Sequence, residues 1–338
     1  MFGQNSEHAS SSDMVSTGLD SIWEFDADAG FGNFSPTIAG GAVYVGTLKG
    51  DVYILDLESG KSLGSNSFGG ALFASPAIAD SLMIVASSTG KYNLLAYNIY
   101  SGKTVWSHQL SDIESSPTIA GDFLYVTTLA GDVYKYDAVG GKESFHRHFA
   151  SAIRVSPLVT RNLCVFGSED GKIICIDAEK GNDLWSYDAG SPVWCTSSAH
   201  DSLIFTGTNS GELIALDMKG AKLFDFKAGG KILSMPISDG SGVYFGSNDG
   251  TLYAISATDG RLLWRINTDA PIIAAAAQDK SELFVGGFDR FFYVINKSDG
   301  MVEGRFDLGG RVRTAPAICN GYLVVCAENT NVFGFRIR

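Results

Sequence analysis

Hydrophobic residues along this chain fall into short runs separated by turn-forming clusters. Residues 231–270 show the pattern clearly: apolar-rich runs at 233–238, 242–247, 251–256 and 262–266 are bounded by Gly, Asp, Asn and Ser. Runs of this length are too short for helices and suit the pleated, half-buried surface of strands. The stretches Ser247-Asn248-Asp249-Gly250, Ser168-Glu169-Asp170-Gly171 and Thr208-Asn209-Ser210-Gly211 place glycine where a tight hairpin needs positive φ. Each stretch of about forty residues therefore predicts four antiparallel strands joined by tight turns.

The pattern recurs in phase. A proline near the start of each unit stands at Pro36, Pro76, Pro117, Pro157, Pro236 and Pro316, with Ser197 and Ala276 at the two remaining positions. The intervals are 40, 41, 40, 40, 39, 40 and 40 residues. A second anchor follows at Gly50, Gly90, Gly131, Gly171, Gly211 and Gly250, replaced by Arg290 and Thr330 in the last two units. Two anchors in phase across eight units define a repeat protein, and four antiparallel strands per unit make a propeller blade. One blade cannot bury both faces alone; a closed ring of blades can. The eighth unit supplies only three strands, and residues 20–25 supply the fourth. The sequence thus predicts an all-β, eight-bladed β-propeller of four-stranded antiparallel blades, closed by the N-terminal strand joining the C-terminal blade. Residues 20–338 form its single domain, and residues 1–19 read as a disordered tail. Two extra residues between Gly90 and Asn98 predict a bulge or a lengthened strand in the second unit.

Composition narrows the function. Lys and Arg number 25 against 37 Asp and Glu, a net charge of −12. That argues against nucleic acid and against electrostatic attachment to anionic lipid, which need clustered cations. No run of eighteen apolar residues occurs, so no membrane span is predicted. The first eighteen residues are polar and Ser-rich, without the apolar core of a signal peptide. Five cysteines form no CxxC. Cys164 and Cys175 fall on neighbouring strands of one hairpin, so they either pair or act as small buried hydrophobes.

A further signature sits at the turn between third and fourth strands. Its fullest copy runs from Ala254 through Asp259 and Gly260 to Trp264; others pass through Ala96, Asn98, Gly102 and Trp106, and through Asp177, Gly181 and Trp185. It resembles the A-x-D-x-x-x-G-x-x-x-W pattern of the quinoprotein (PQQ-type) repeat, over roughly residues 20–338. The resemblance implies that the tryptophan docks between adjacent blades. Read around the ring, this position holds Trp23, Gly64, Trp106, Phe145, Trp185, Phe224, Trp264 and Gly304. A large flat ring there fills the wedge between two blades, so Trp23, Trp106, Trp185 and Trp264 are read as structural.

The resemblance implies two kinds of protein. PQQ-dependent dehydrogenases carry long insertions, a calcium site and usually adjacent cysteines; this chain has no adjacent cysteines and almost no insertions. The non-catalytic branch includes the lipoprotein subunit of the bacterial outer-membrane assembly machinery, whose repeats likewise fill the chain. The reading is a protein-binding scaffold with no catalytic residues and no cofactor. PQQ with calcium, as in a dehydrogenase or quinone-binding protein, is the alternative, and a ligand-sensing propeller of a signalling protein is another. The partner is expected to be a protein and the compartment the periplasm or cell envelope. Membrane association would come only through a lipid anchor.

Local motifs carry little chemistry. His146 and His148 share a strand face with metal-like spacing, but no third ligand lies near in sequence. Asp26-Ala27-Asp28-Ala29-Gly30 has only part of a calcium loop. The Ser-Pro steps Ser35-Pro36, Ser75-Pro76, Ser116-Pro117 and Ser156-Pro157 are strand-start geometry, not nucleophiles. The candidate site is the rim of the central channel. Three residues before the first anchor stand Asn33, Phe73, Glu114, Arg154, Trp194, Leu233, Ile273 and Arg313. They vary in size and charge where the rest of the repeat does not. Trp194 is the one tryptophan outside the docking series, and an aromatic beside arginine is the make-up of a binding hot spot. It either serves that purpose or plugs the channel. Arg290, followed by Phe291 and Phe292, breaks the turn pattern on the same face and joins the candidate set.

Overall fold

The computed structural model describes residues 18–32, 35–88 and 92–338. These form thirty-two strands in eight four-stranded antiparallel sheets. Blades 1 to 7 are simple meanders; blade 6, for example, runs Ile237–Ser238, Gly242–Gly246, Thr251–Ser256 and Leu262–Asn267. Blade 8 takes Ala317–Cys319, Tyr322–Cys326 and Asn331–Ile337 from the C-terminus and Leu19–Asp26 from the N-terminus. The closing register runs from Leu19 opposite Ile337 to Asp26 opposite Asn331. Arg338 pairs with Asp20, and the Thr330 hydroxyl donates to Asp26 Oδ1 at 2.7 Å. Leu19 is buried in the closing strand, which therefore begins inside the segment read as a tail; residues 1–17 lie outside the described residues.

Burial explains the order of strands within a blade. The middle strands lie between neighbouring blades and are apolar on both faces, as in Gly242–Gly246 and Thr251–Ser256, every residue of which is buried. The outer strand meets protein on one face only. Asp183–Asp188 accordingly alternates exposed and half-buried residues. The core is a series of clusters shared by adjacent blades; Leu158 and Ile173 of blade 4 pack with Ile204 and Leu216 of blade 5. The turn glycines are needed for close approach. At Gly211 φ is +86°, and a Cβ would stand 2.4 Å from the Gly230 carbonyl oxygen. Arg290 and Thr330, which replace this glycine in the last two blades, adopt the same left-handed conformation at φ +74°, a strained geometry for a β-branched residue.

Of the two readings of Cys164 and Cys175, the structure bears out small buried hydrophobes. Cys164 stands opposite Ile176 while Cys175 stands opposite Val165, so the two side chains point to opposite faces of their sheet and enter different cores. All five cysteines are free. In blade 2 the third strand is Leu94–Asn98, not lengthened, and the alternative expectation of a bulge after Gly90 reaches into 89–91, outside the described residues.

The Ser-Pro steps stitch the channel wall. The Ser35 N–H donates to Ser75 Oγ at 3.0 Å, Ser75 N–H to Ser116 Oγ at 2.9 Å and Ser116 N–H to Ser156 Oγ at 2.9 Å. Blades 1 to 4 are thus linked in series near the axis. Blades 6 to 8 carry Met235, Ala275 and Ala315 at this position and have no hydroxyl to offer.

Candidate functional site

The first strands begin at the channel, so the residue three before each anchor faces its mouth. Phe73, Glu114, Arg154, Trp194, Leu233, Ile273 and Arg313 all line one cavity of about 620 Å³ there. Asn33 lies outside the described residues. Met235, Ala274, Ala275 and Ala315 extend the apolar side of the cavity, opposite Ser115, Ser116 and Ser156.

Arg154 is the centre of the polar side. Its Nε donates to Glu169 Oε2 at 2.8 Å and its Nη1 to Glu114 Oε2 at 2.7 Å. The bond to Glu169, joined by that to Glu114, raises its pKa above the ordinary arginine value. The same guanidinium lies 5.7 Å from the centre of the Trp194 ring, and the Lys231 ammonium lies 5.8 Å from it. Trp194 is 37% exposed and Phe73 41%, so neither is spent as a buried plug. Arg313 pairs with Glu328, not across the mouth with Glu114, and its guanidinium lies 4.9 Å from the centre of the Phe288 ring.

Glu169 and Glu328, which the sequence reading missed, belong with Phe288 to a second ring around the mouth. They occupy the turn between second and third strands, two residues before the second anchor. The backbone N–H there bonds to the preceding loop: Glu169 to Ala152 O, Phe288 to Pro271 O and Glu328 to Arg311 O. The signal was present, since this position also changes identity from unit to unit.

Arg290 is not part of the mouth. It lines a separate open groove with Phe288, Arg311, Glu328 and Asn329, and lies 3.4 Å from Asp307. Its neighbours offer no exposed aromatic anchor: Phe292 is fully buried, and Phe291 is covered by the Arg305 guanidinium, 3.4 Å from its ring centre.

The four tryptophans lie against the following blade. Their indole N–H groups donate to Leu57 O from Trp23 (2.9 Å), Ala138 O from Trp106 (3.1 Å), Met218 O from Trp185 (3.0 Å) and Lys297 O from Trp264 (2.8 Å). A glycine sits beneath each ring; a Cβ on Gly220 would be 2.5 Å from Trp185.

His146 Nε2 and His148 Nδ1 both reach Asp132 Oδ1, at 2.8 and 3.0 Å. Asp132, absent from the sequence reading, is the nearby acid. Burial works to raise its pKa, but the two imidazoles outweigh that and hold it below the usual carboxylate range. Asp28 bonds Lys49. Among the described residues no three His, Cys, Asp or Glu side chains are placed to hold a metal ion. Nor is any described helix long and apolar enough to cross a membrane.

An eight-bladed ring with a tryptophan or phenylalanine set over a glycine in six of its wedges defines a PQQ-type repeat propeller. The family described as outer membrane protein assembly factor BamB matches residues 17–119, 102–199 and 190–278, and the chain belongs to that family. The assembly factor BamB of Burkholderia pseudomallei is 24% identical over 330 residues, covering 90% of this chain and 84% of that protein. An uncharacterized protein of Rickettsia prowazekii, RP232, is 25% identical over 204 residues, 52% of this chain and 49% of its own length. The chain therefore spans about half the length of that relative, and a smaller part, 28%, of BamB from Nitrosomonas eutropha. Among solved structures, BamB of Moraxella catarrhalis superposes with a TM-score of 0.79 at 18% identity, covering 95% of this chain and all of that one. The quinohemoprotein alcohol dehydrogenase of Comamonas testosteroni gives 0.83 at 14% identity, covering 97% and 78%. At these identities the structural likeness carries the fold alone.

Proposed function

We propose that this chain is a non-catalytic scaffold of the bacterial cell envelope that serves outer-membrane protein assembly and grips a protein partner at the channel mouth. The observation that carries this reading is Trp194: over a third exposed, flanked by Arg154 and Lys231, beside an apolar wall of Leu233, Met235 and Ile273. Aromatic and arginine anchors at the centre of a concave surface are what protein interfaces use for most of their energy. The glutamates around Arg154 fix it in place and leave the mouth near neutral, which favours a partner presenting apolar side chains over a strongly charged one. The four inter-blade tryptophans serve the ring, not the partner.

The test is retention of the outer-membrane assembly complex from solubilised envelopes on the immobilised chain. The Trp194→Ala, Arg154→Ala double variant should lose it while remaining folded. Retention unchanged in that variant places the contact elsewhere.

The dehydrogenase-like structure of Comamonas testosteroni motivates a second reading, a quinone site with calcium in the channel. The residues present do not fit it. Among the described residues that line the cavity Glu114 is the one carboxylate, and it is bound to Arg154. Titration with PQQ and Ca²⁺ should leave the quinone absorbance unshifted; a saturable shift would restore that reading.

A further inference from the structure

Blades 6 and 7 leave the repeat at the turn between first and second strands. Blades 1 to 3 read Ile38-Ala39, Ile78-Ala79 and Ile119-Ala120 where the first strand ends. Blade 6 reads Ser238-Asp239-Gly240-Ser241-Gly242 and blade 7 reads Gln278-Asp279-Lys280-Ser281-Glu282.

In blade 6 the acid is fully partnered. Asp239 Oδ1 accepts the N–H groups of Ser241 and Gly242 at 3.0 and 2.9 Å. Its Oδ2 accepts the Tyr244 hydroxyl at 3.1 Å and lies 3.0 Å from the Lys297 ammonium, which reaches across from blade 7.

Blade 7 repeats the turn and loses both partners of the second oxygen. Asp279 Oδ1 still accepts the N–H groups of Ser281 and Glu282, at 2.9 and 2.7 Å. Phe284 stands in place of Tyr244 and Ile337 in place of Lys297, and both are buried in the core shared by blades 7 and 8. Glu282 stands in place of Gly242, directly opposite Asp279 in the hairpin, where Cβ atoms are about 5 Å apart. The result is a second buried carboxylate instead of a cation. Asp279 Oδ2 and Ser281 Oγ have no hydrogen-bond partner, and the Glu282 carboxyl meets no N–H or hydroxyl donor but lies against a third carboxyl, that of Glu303. The two acids are 2% and 1% exposed. Lys297 is committed to Asp239 and Arg338 to Asp20, and Lys280, in the turn between the two acids, is exposed. Ionised groups beside Phe284 and Ile337 are strongly disfavoured without a counter-charge.

We propose that Asp279 and Glu282 bind a divalent hard cation, Ca²⁺, in the wedge between blades 7 and 8, where the preceding wedge uses the Lys297 ammonium. Two carboxylates balance one divalent charge. The donors are all oxygen, which selects Ca²⁺ over thiolate- or imidazole-seeking metals, and the buried position disfavours Mg²⁺, which keeps several of its waters. Two carboxylates and neutral oxygens make the site, Ser281 Oγ among them. Glu303, held by Asn296 Nδ2 at 2.9 Å, is a further carboxylate on the outer strand of the same blade. The cation ties blade 7 to the blade that closes the ring.

The experiment is equilibrium dialysis of chelator-stripped full-length chain against ⁴⁵Ca²⁺ at pH 8.5, with thermal unfolding of the same samples. One Ca²⁺ per chain and a rise in Tm on the order of 3 °C at saturation are expected. Glu282→Gly, which restores the residue of blade 6, and the conservative Glu282→Gln should each abolish both effects. Burial, aided by Glu303 and Asp279, pushes the Glu282 carboxyl up to about 8, and the test pH is set above that value. Absence of stoichiometric Ca²⁺ there overturns the proposal, and a proton is then the neutralising partner. Binding retained by both variants overturns it equally.

Discussion

Arg154 holds two glutamates and one indole at once, and each contact makes a different demand on it. The ion pairs are part-exposed, with side chains 37–39% accessible, so they are worth at most about 1 kcal/mol each to the fold. Arg154→Ala should therefore leave urea unfolding nearly unchanged while partner affinity falls at least tenfold; an equal loss in both would make its role structural. The inter-blade aromatics behave in the opposite way. Gly220 has φ +81° and lies under Trp185, so Gly220→Ala clashes and strains together. It should cost about 2–3 kcal/mol, and Trp185→Ala about 3 kcal/mol or more, both read from denaturant midpoints. Asp239 gives a pH dependence of definite sign. Burial tends to raise its carboxyl, but the Gly242 N–H, the Lys297 ammonium and Ser241 outweigh that and hold it well below the usual range. A carboxyl depressed in the folded state contributes stability above its unfolded value of about 4, and that contribution is lost as pH falls further. Asp239→Asn should flatten the decline in stability below about pH 4, followed by denaturant titration across that range. The mouth residues were legible in the sequence because they break the repeat in phase. Glu169 and Glu328, which position Arg154 and Arg313, vary along the repeat as well, but they come from a different turn and only folding shows that the two rings meet.

The strands were the most legible feature of all. Their length, their turn glycines and their forty-residue period fix each blade before any contact is known. What the period cannot show is how two strands share side chains between faces. Cys164 and Cys175 sit on paired strands, yet a register offset of one residue sends them into different cores. Arg290 was placed on the correct face of the disc by its turn, but a turn between second and third strands lies farther from the axis than the start of a first strand, so it misses the mouth. The closing strand Leu19–Asp26 has no covalent link to its blade except through the whole ring. Deleting residues 1–26 should leave an open edge on Asn331–Ile337 and abolish cooperative unfolding. A synthetic peptide of residues 18–28 added to the truncated chain should restore it, as followed by circular dichroism; failure of both truncation and rescue to change the melt would mean that seven and three-quarter blades suffice.

Eight equivalent blades would make an isotropic disc, but the seam of serines does not run all the way round. Hydroxyl to N–H links join blades 1 to 4 beside the axis, while Met235, Ala275 and Ala315 leave blades 6 to 8 without them. The unlinked half also carries the apolar wall of the mouth, Leu233 and Ile273 included. Amide exchange should be faster in the first strands of blades 6 to 8 than in those of blades 2 to 4, and Ser116→Ala should narrow the difference. Were a partner seated in the mouth as proposed, it would lie between unlike jaws, Arg154 and the serine seam on one side and an apolar wall without such links on the other.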